Sequence, residues 1–513
     1  MSNVYQTPGI YVEETNALAY QITGVETSVT AFVGNTVMGP VGVPIRISGF
    51  EEFRQLFGGL SSESMLGYAV NDYFLNGGEK AFILRLTGSG SEKARLSLPC
   101  GDSSRLTLNL EARSEGAWGN ELSVQVAPIE KSGAFLRRLF KKTSSPSGFR
   151  LKIFYRQRLE EDFLQVSLTP GEQFYLPELL ERDSRLLRAV KRGNEWEVPA
   201  ISPGLNPNPV QASGGKDGNT LMPKDYLGDE TSETGIFALK KVDSFYLLCI
   251  PPAQRGGDTD PAVYRAALKL CVERRAMLLV DAPSTWTGTV TDAHAFLWNQ
   301  EHENRNAAMY FPRLRQSDPL QNGLEDVFVP CGAVAGVIAA TDSKFGVWRS
   351  PAGTSALLKG VKGLQPTLST AMMERMTAQG VNCIRGSADS EFTIWGARTM
   401  SSSEEYKYLS VRRTVLYIEE SVLRGTRWAY FEANNEQLWQ RLRLQVEDFL
   451  MHLFRAGAFQ GNRPDVAYFV KCDRETTTQQ EIDSGYCNLL IGFAPLRPAE
   501  FIVIKLSHKT MNQ

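Results

Sequence analysis

The chain has 513 residues, 42% of them apolar, 22% charged and 10% aromatic, which excludes global disorder and leaves room for several packed domains. Lysine and arginine number 55 against 57 aspartate and glutamate, a formal net charge of −2 that argues against bulk binding to nucleic acid or an anionic membrane. The most apolar run, Cys331 to Ala340, is about half of the ~20 residues a membrane span needs.

Met1 to Pro8 lacks the basic and apolar regions of a secretory signal, so none is predicted. Residues 1–20 read as an N-terminal extended arm. Pro8-Gly9 breaks any helix, and Ile10-Tyr11-Val12 is β-prone. Residues 21–87 and 236–389 predict a discontinuous α/β middle domain. In its first part, Ser28 to Gly34 is a buried-type strand, and Glu51 to Phe57 a short helix before Gly58-Gly59. Leu66 to Leu75 is a helix stopped by Asn76-Gly77-Gly78, and Ala81 to Leu86 a strand.

Residues 88–235 change character. Arg105 to Leu110 and Leu122 to Val126 alternate, and prolines at 199, 203, 207 and 209 with glycines at 214, 215 and 218 mark a long loop. This predicts a mostly β inserted domain. The α/β pattern then returns. Phe245 to Ile250, Ala276 to Asp281 and Ala307 to Phe311 are strands, separated by helices over Pro261 to Arg275 and Thr291 to Asn304. That order implies parallel pairing with right-handed crossovers.

Residues 390–495 predict a C-terminal α/β domain. It has a strand at Phe392 to Trp395, helices at Leu409 to Arg424 and Glu436 to Gly457, and strands at Val466 to Cys472 and Cys487 to Phe493. On the second helix, Leu438, Leu442, Val446, Phe449 and Leu453 recur every three or four residues and form a core face. Gln437, Arg441, Gln445, Asp448, His452 and Arg455 share a polar stripe. Residues 496–513 form a C-terminal β-arm. In Phe501 to Leu506, Phe501, Val503 and Lys505 face one side, and Ile502, Ile504 and Leu506 the other. Both faces are largely apolar, as in a strand buried on both sides. The fold class is therefore α/β and multidomain, with a β-rich insertion and extended terminal arms.

Motifs for chemistry are absent. There is no phosphate-binding Gly-x-x-x-x-Gly-Lys-Ser/Thr and no Gly-x-Ser-x-Gly elbow. Gly214 to Gly218 reads as a surface turn. His302, flanked by Glu301 and Glu303, lacks a second histidine one turn on. Asp258-Thr259-Asp260 lacks the rest of a calcium loop and reads as the cap of the helix starting at Pro261. Arg137, Arg138, Lys141 and Lys142 read as a solvated loop. Seven scattered cysteines with no Cys-x-x-Cys predict reduced thiols. No metal, cofactor or catalytic residue is assigned.

Several blocks, in order, resemble the contractile tail sheath family of myophages, R-type tailocins and phage-like contractile injection systems. They are Pro8 to Glu14, Thr27 to Gly34 with Gly39-Pro40, Phe50 to Gly59 and Leu66 to Gly78. Glu115-Gly116-Ala117-Trp118-Gly119-Asn120, Ala335 to Val337 with Gly346-Val347-Trp348, and Gly380 to Arg385 follow. The last are Ile394 to Thr399, Val411-Arg412-Arg413, Arg424 to Trp428, Val446 to Leu450 and Pro495 to Phe501. Residues 130–200 match poorly.

The resemblance implies a structural subunit rather than an enzyme. Such a subunit polymerises with itself as stacked hexameric rings around an inner tube protein. It contracts from a metastable extended state and meets baseplate, terminator or cap proteins and possible sheath paralogues, with no nucleic acid and no membrane insertion. It implies assembly in the cytoplasm into a virion or phage tail-like particle. It also implies that the arms, Ile10 to Val12 and Phe501 to Leu506, add strands to neighbouring subunits, and that the Gln437 to Arg455 stripe faces the tube. A non-contractile baseplate or cap paralogue is the main alternative. An α/β hydrolase with a triad scattered through the sequence is a further one.

Overall fold

The structure, a computed structural model, describes residues 21–101, 106–129, 148–286, 304–387 and 391–498. Its contacts define two units, a larger one over 26–413 and a smaller one over 21–25 and 414–497.

The larger unit is organised around an eight-stranded sheet. Its spatial order is Ile45–Ile47, Ala81–Arg85, Thr30–Gly34, Leu247–Cys249, Met277–Asp281, Ala307–Phe311, Val381–Gly386 and Phe392–Ile394. The six inner strands run parallel and the two edge strands antiparallel. Thr30–Gly34, Met277–Asp281 and Ala307–Phe311 are buried at every residue. Strands covered on both faces select apolar side chains at successive positions, so they read as runs rather than alternations. The mixed α/β architecture expected from the sequence is present.

The crossover helix Pro261–Glu273 starts where its cap chemistry places it. Asp260 accepts a 2.7 Å hydrogen bond from the Ala262 amide, and proline occupies the first turn. Phe50–Phe57 ends at Gly58, whose left-handed backbone (φ 89°) closes the helix. A side chain there would also meet Val37 at 2.7 Å, so the position needs glycine on two counts. The small-residue run is a buried helix, Cys331–Phe345, packed on Leu66–Leu75. A Cβ at Gly332 would lie 2.0 Å from the Ala69 carbonyl oxygen, and one at Gly336 would lie 2.5 Å from that of Tyr73. Absence of side chains at these two positions sets how closely the helices approach. Among the described residues no helix is long and apolar enough to cross a membrane.

Between Arg85 and Leu247 the chain builds separate antiparallel sheets. One holds Arg95–Pro99, Thr107–Ala112 and Leu187–Ala189; another holds Leu122–Ala127, Phe149–Tyr155, Arg158–Val166 and Val210–Gln211. Leu108, Leu110, Val124, Leu151 and Ile153 belong to one buried cluster. The β character read from alternation is therefore present, together with helices that the pattern did not announce, among them Leu176–Asp183 and Pro223–Leu227. Leu176–Asp183 is eight residues long and buries Leu176, Leu179 and Leu180 in the same cluster.

Two sequence-based placements change. Phe392–Ile394 pairs antiparallel with Val381–Gly386, so it closes the edge of the large sheet rather than opening the last unit. The C-terminal strands are shorter than expected, at Tyr468–Lys471 and Leu490–Phe493. The segment expected as a helix over 291–304 falls almost wholly outside the described residues, as do Arg137, Arg138, Lys141, Lys142 and His302.

A candidate interaction surface on the smaller unit

The long helix of the smaller unit, Glu436–Arg455, begins at Asn435, whose side chain accepts from the Leu438 amide at 3.0 Å. Leu438, Leu442, Val446, Phe449 and Leu453, the predicted core face, are all buried, joined by Trp439 and Leu450. Burial of each contributes roughly 1.5–3 kcal/mol, and their three- and four-residue spacing is what makes this stretch a helix with one fixed inner side.

Of the predicted stripe, Gln437, Arg441, Asp448, His452 and Arg455 are exposed. Arg441 lies 4.2 Å over the Trp428 ring and 3.9 Å from Glu432. His452 stands 3.7 Å from Asp448, one turn away. Gln445 is different. It is half-buried, accepts from the Trp428 indole N–H at 2.9 Å and donates to the Gly425 carbonyl, so it anchors the preceding segment. The surface thus carries charges of both signs, with exposed pairs that individually contribute about 0–1 kcal/mol to stability. Such side chains are free to exchange partners at little cost to the fold.

The helix packs on the strand Tyr468–Lys471, with Phe454 and Tyr468 ring centroids 6.5 Å apart. That strand pairs antiparallel with Leu490–Phe493, from Tyr468↔Phe493 to Lys471↔Leu490. Among the described residues this sheet has two strands; past it, the neighbouring backbone contributes one bridge, Phe459↔Pro495. Among the described residues no third strand joins either edge of this sheet. Beside it lies a groove of about 510 Å³ lined by residues that include Leu444, Met451, Pro464 and Phe469. Leu444 is 55% and Phe469 50% exposed. Residues 430 and 431 were not singled out from the sequence, yet Tyr430 is exposed and Phe431 fully so, the latter in left-handed backbone at φ 70°. No periodic pattern marks a loop aromatic, so nothing in the sequence distinguishes them.

The arm residues Ile10, Tyr11, Val12, Phe501, Ile502, Val503, Ile504, Lys505 and Leu506 lie outside the described residues. Among those described, no group of three or more histidine, cysteine, aspartate or glutamate side chains is placed to hold a metal ion.

Residues 401–508, which contain this helix and sheet, match the phage tail sheath C-terminal domain family. A prophage major tail sheath protein of Pseudomonas aeruginosa (strain UCBPP-PA14) is 24% identical over 250 residues, covering 48% of this chain and 61% of the relative. The tail sheath protein of Vibrio phage KVP40 is 25% identical over 175 residues, 34% of this chain and 25% of that one. Residues 401–508 thus carry a sheath-type C-terminal domain, and the chain is similar to contractile tail sheath proteins. It spans about three fifths of the first curated relative and a quarter of the second. Its fold is shared with a chain of the anti-feeding prophage helical sheath in its contracted state, at a TM-score of 0.58 and 20% identity, covering 99% of this chain and 100% of that one.

The blocks behind the sheath resemblance hold the fold together. In Glu115 to Asn120, the Asn120 amide donates to the Gly215 carbonyl at 2.9 Å and accepts from the Gly215 N–H at 2.7 Å. The glycine-rich turn is thereby clamped to this block. Asn382 bonds both backbone groups of Arg398, at 2.7 and 2.8 Å, locking the Gly380 and Ile394 blocks together. Arg413 of the Val411-Arg412-Arg413 block pairs with Asp342 on the Cys331–Phe345 helix.

Proposed function

We propose that the chain is the non-enzymatic structural subunit of a contractile sheath. It polymerises as stacked hexameric rings around an inner tube and shortens from a metastable extended state to drive that tube through a target envelope. The observation that carries this reading is the sheet Tyr468–Lys471/Leu490–Phe493, which has two strands among the described residues and lies within the segment that matches the sheath family. A two-stranded sheet is marginal alone, and open edges invite added strands. Extended arms from neighbouring subunits fit that need, with Ile10 to Val12 and Phe501 to Leu506 as the strands supplied. Strand addition keeps subunits linked while they rotate, so the lattice can change shape without coming apart. Residues 88–235, with their own core, form an outer decoration on this lattice.

The exposed stripe of the Glu436–Arg455 helix is the tube-facing surface. Polar, reversible contact suits a sheath that must release its tube on firing. Reversing Arg441 and Arg455 to glutamate is expected to cut sheath growth on purified tubes several-fold at low salt. The monomer should melt near the wild-type temperature, since exposed substitutions move stability by only ~0.5 kcal/mol while like charges across an interface cost several. Co-sedimentation with tubes reads the effect. Wild-type sheathing by the double variant would place docking on another surface.

A further inference from the structure

The sequence separates Cys472 and Cys487 by fifteen positions, yet the fold returns one to the other. Cys472 follows the strand Tyr468–Lys471 and Cys487 precedes Leu490–Phe493. The connecting segment is tied down. Thr478 and Glu481 form a reciprocal cap on the Gln479–Asp483 helix. Asn488 donates from its backbone to the Thr477 hydroxyl at 2.9 Å and from its side chain to the Thr476 carbonyl at 3.0 Å. The two sulfurs end 3.7 Å apart, as free thiols.

We propose that Cys472 and Cys487 are an oxidation site, closing to a disulfide that clasps the base of the two-stranded sheet when the chain meets a low-molecular-weight disulfide oxidant.

Accessibility favours Cys487 as the thiol that meets the oxidant. It is half-buried, whereas Cys472, Cys100, Cys249, Cys271, Cys331 and Cys383 are buried. The thiols of Cys271 and Cys331 are held well above the usual range by burial. The hydrogen bond from Cys472 holds Cys487 below the usual thiol range, at about 7, and Cys472 is raised in return. Cys487 is then the attacking thiolate and Cys472 the resolving thiol. Cys487 attacks one sulfur of the oxidant, forming a mixed disulfide and expelling a thiolate that takes up the Cys487 proton. Cys472 loses its proton and attacks the Cys487 sulfur, expelling the second thiolate, which takes up that proton. Two protein thiols are oxidised by two electrons and one small disulfide is reduced to two thiols. The closed loop constrains the unfolded chain, and the sheet gains resistance to opening.

The test uses the full chain, equilibrated with oxidised or reduced glutathione, alkylated, proteolysed and mapped by mass spectrometry. Oxidation is expected to yield one cross-linked peptide pair, joining Cys472 to Cys487. It should also raise the melting temperature of the smaller unit by roughly 5 °C or more, a rise that dithiothreitol reverses. Cys487→Ser, at the half-exposed position, should fold and show neither the link nor the rise. Should Cys472→Ala unfold the chain, the serine variant carries the comparison alone. Both cysteines alkylated after oxidation, a glutathione adduct that persists on Cys487, or linkage to a different cysteine would each overturn the proposal.

Discussion

Truncation after Ala499 is expected to abolish polymerisation while both units stay folded. The deleted segment carries Phe501 to Leu506, with apolar side chains on both faces, a composition that needs cover on both sides. Pro495 and Pro498 precede it and favour an extended connector, since neither donates a backbone hydrogen bond. In the proposed lattice the receiving surface is the sheet of Tyr468–Lys471 and Leu490–Phe493 on a neighbouring subunit. Four or five ladder hydrogen bonds at roughly 0.5–1.5 kcal/mol each give a link of several kcal/mol, multiplied through the lattice. Val503→Pro should act in the same direction by removing one donor and fixing φ. Electron microscopy reads assembly, circular dichroism reads folding, and mass spectrometry verifies the truncated length. Sheaths of wild-type length from the truncated chain would remove the C-terminal arm from the account.

A second large effect is expected at Arg413. Its guanidinium donates to Asp342 at 2.8 Å and to the Thr27 carbonyl at 2.9 Å, and the side chains of both ion-pair partners are at most 3% exposed. Arg413→Met leaves the Asp342 charge buried without its partner, which costs about 3–5 kcal/mol. The double variant Arg413→Met/Asp342→Leu should recover most of that loss, because the cost lies in the orphaned charge rather than in the missing attraction. Urea unfolding of the three variants reads the difference. A single variant as stable as the wild type would show that Asp342 finds water or another donor.

These expectations divide by how far each was legible from residues. The Glu436–Arg455 helix was, because five apolar residues at three- and four-residue spacing leave one possible inner face. The parallel sheet was, because buried strands such as Ala307–Phe311 are apolar throughout and are separated by a capped helix. Phe392–Ile394 was not assigned to its sheet, because three residues carry periodicity but no information about the strand they pair with. Leu176–Asp183 gave only two helical turns of pattern. Gln445 lies on the polar stripe by spacing, yet its anchoring of Trp428 depends on a loop whose path no periodicity predicts. The Cys472–Cys487 approach is of the same kind, since it rests on a turn built from Thr477, Glu481 and Asn488.

The most direct test of a self-assembling sheath subunit is electron microscopy of the full-length recombinant chain, with no nucleotide and no metal added. The account predicts long, striated cylinders of stacked rings, formed from folding and association free energy alone. Monodisperse particles under all conditions, or cylinders that form only with ATP or a chelatable ion, would contradict it.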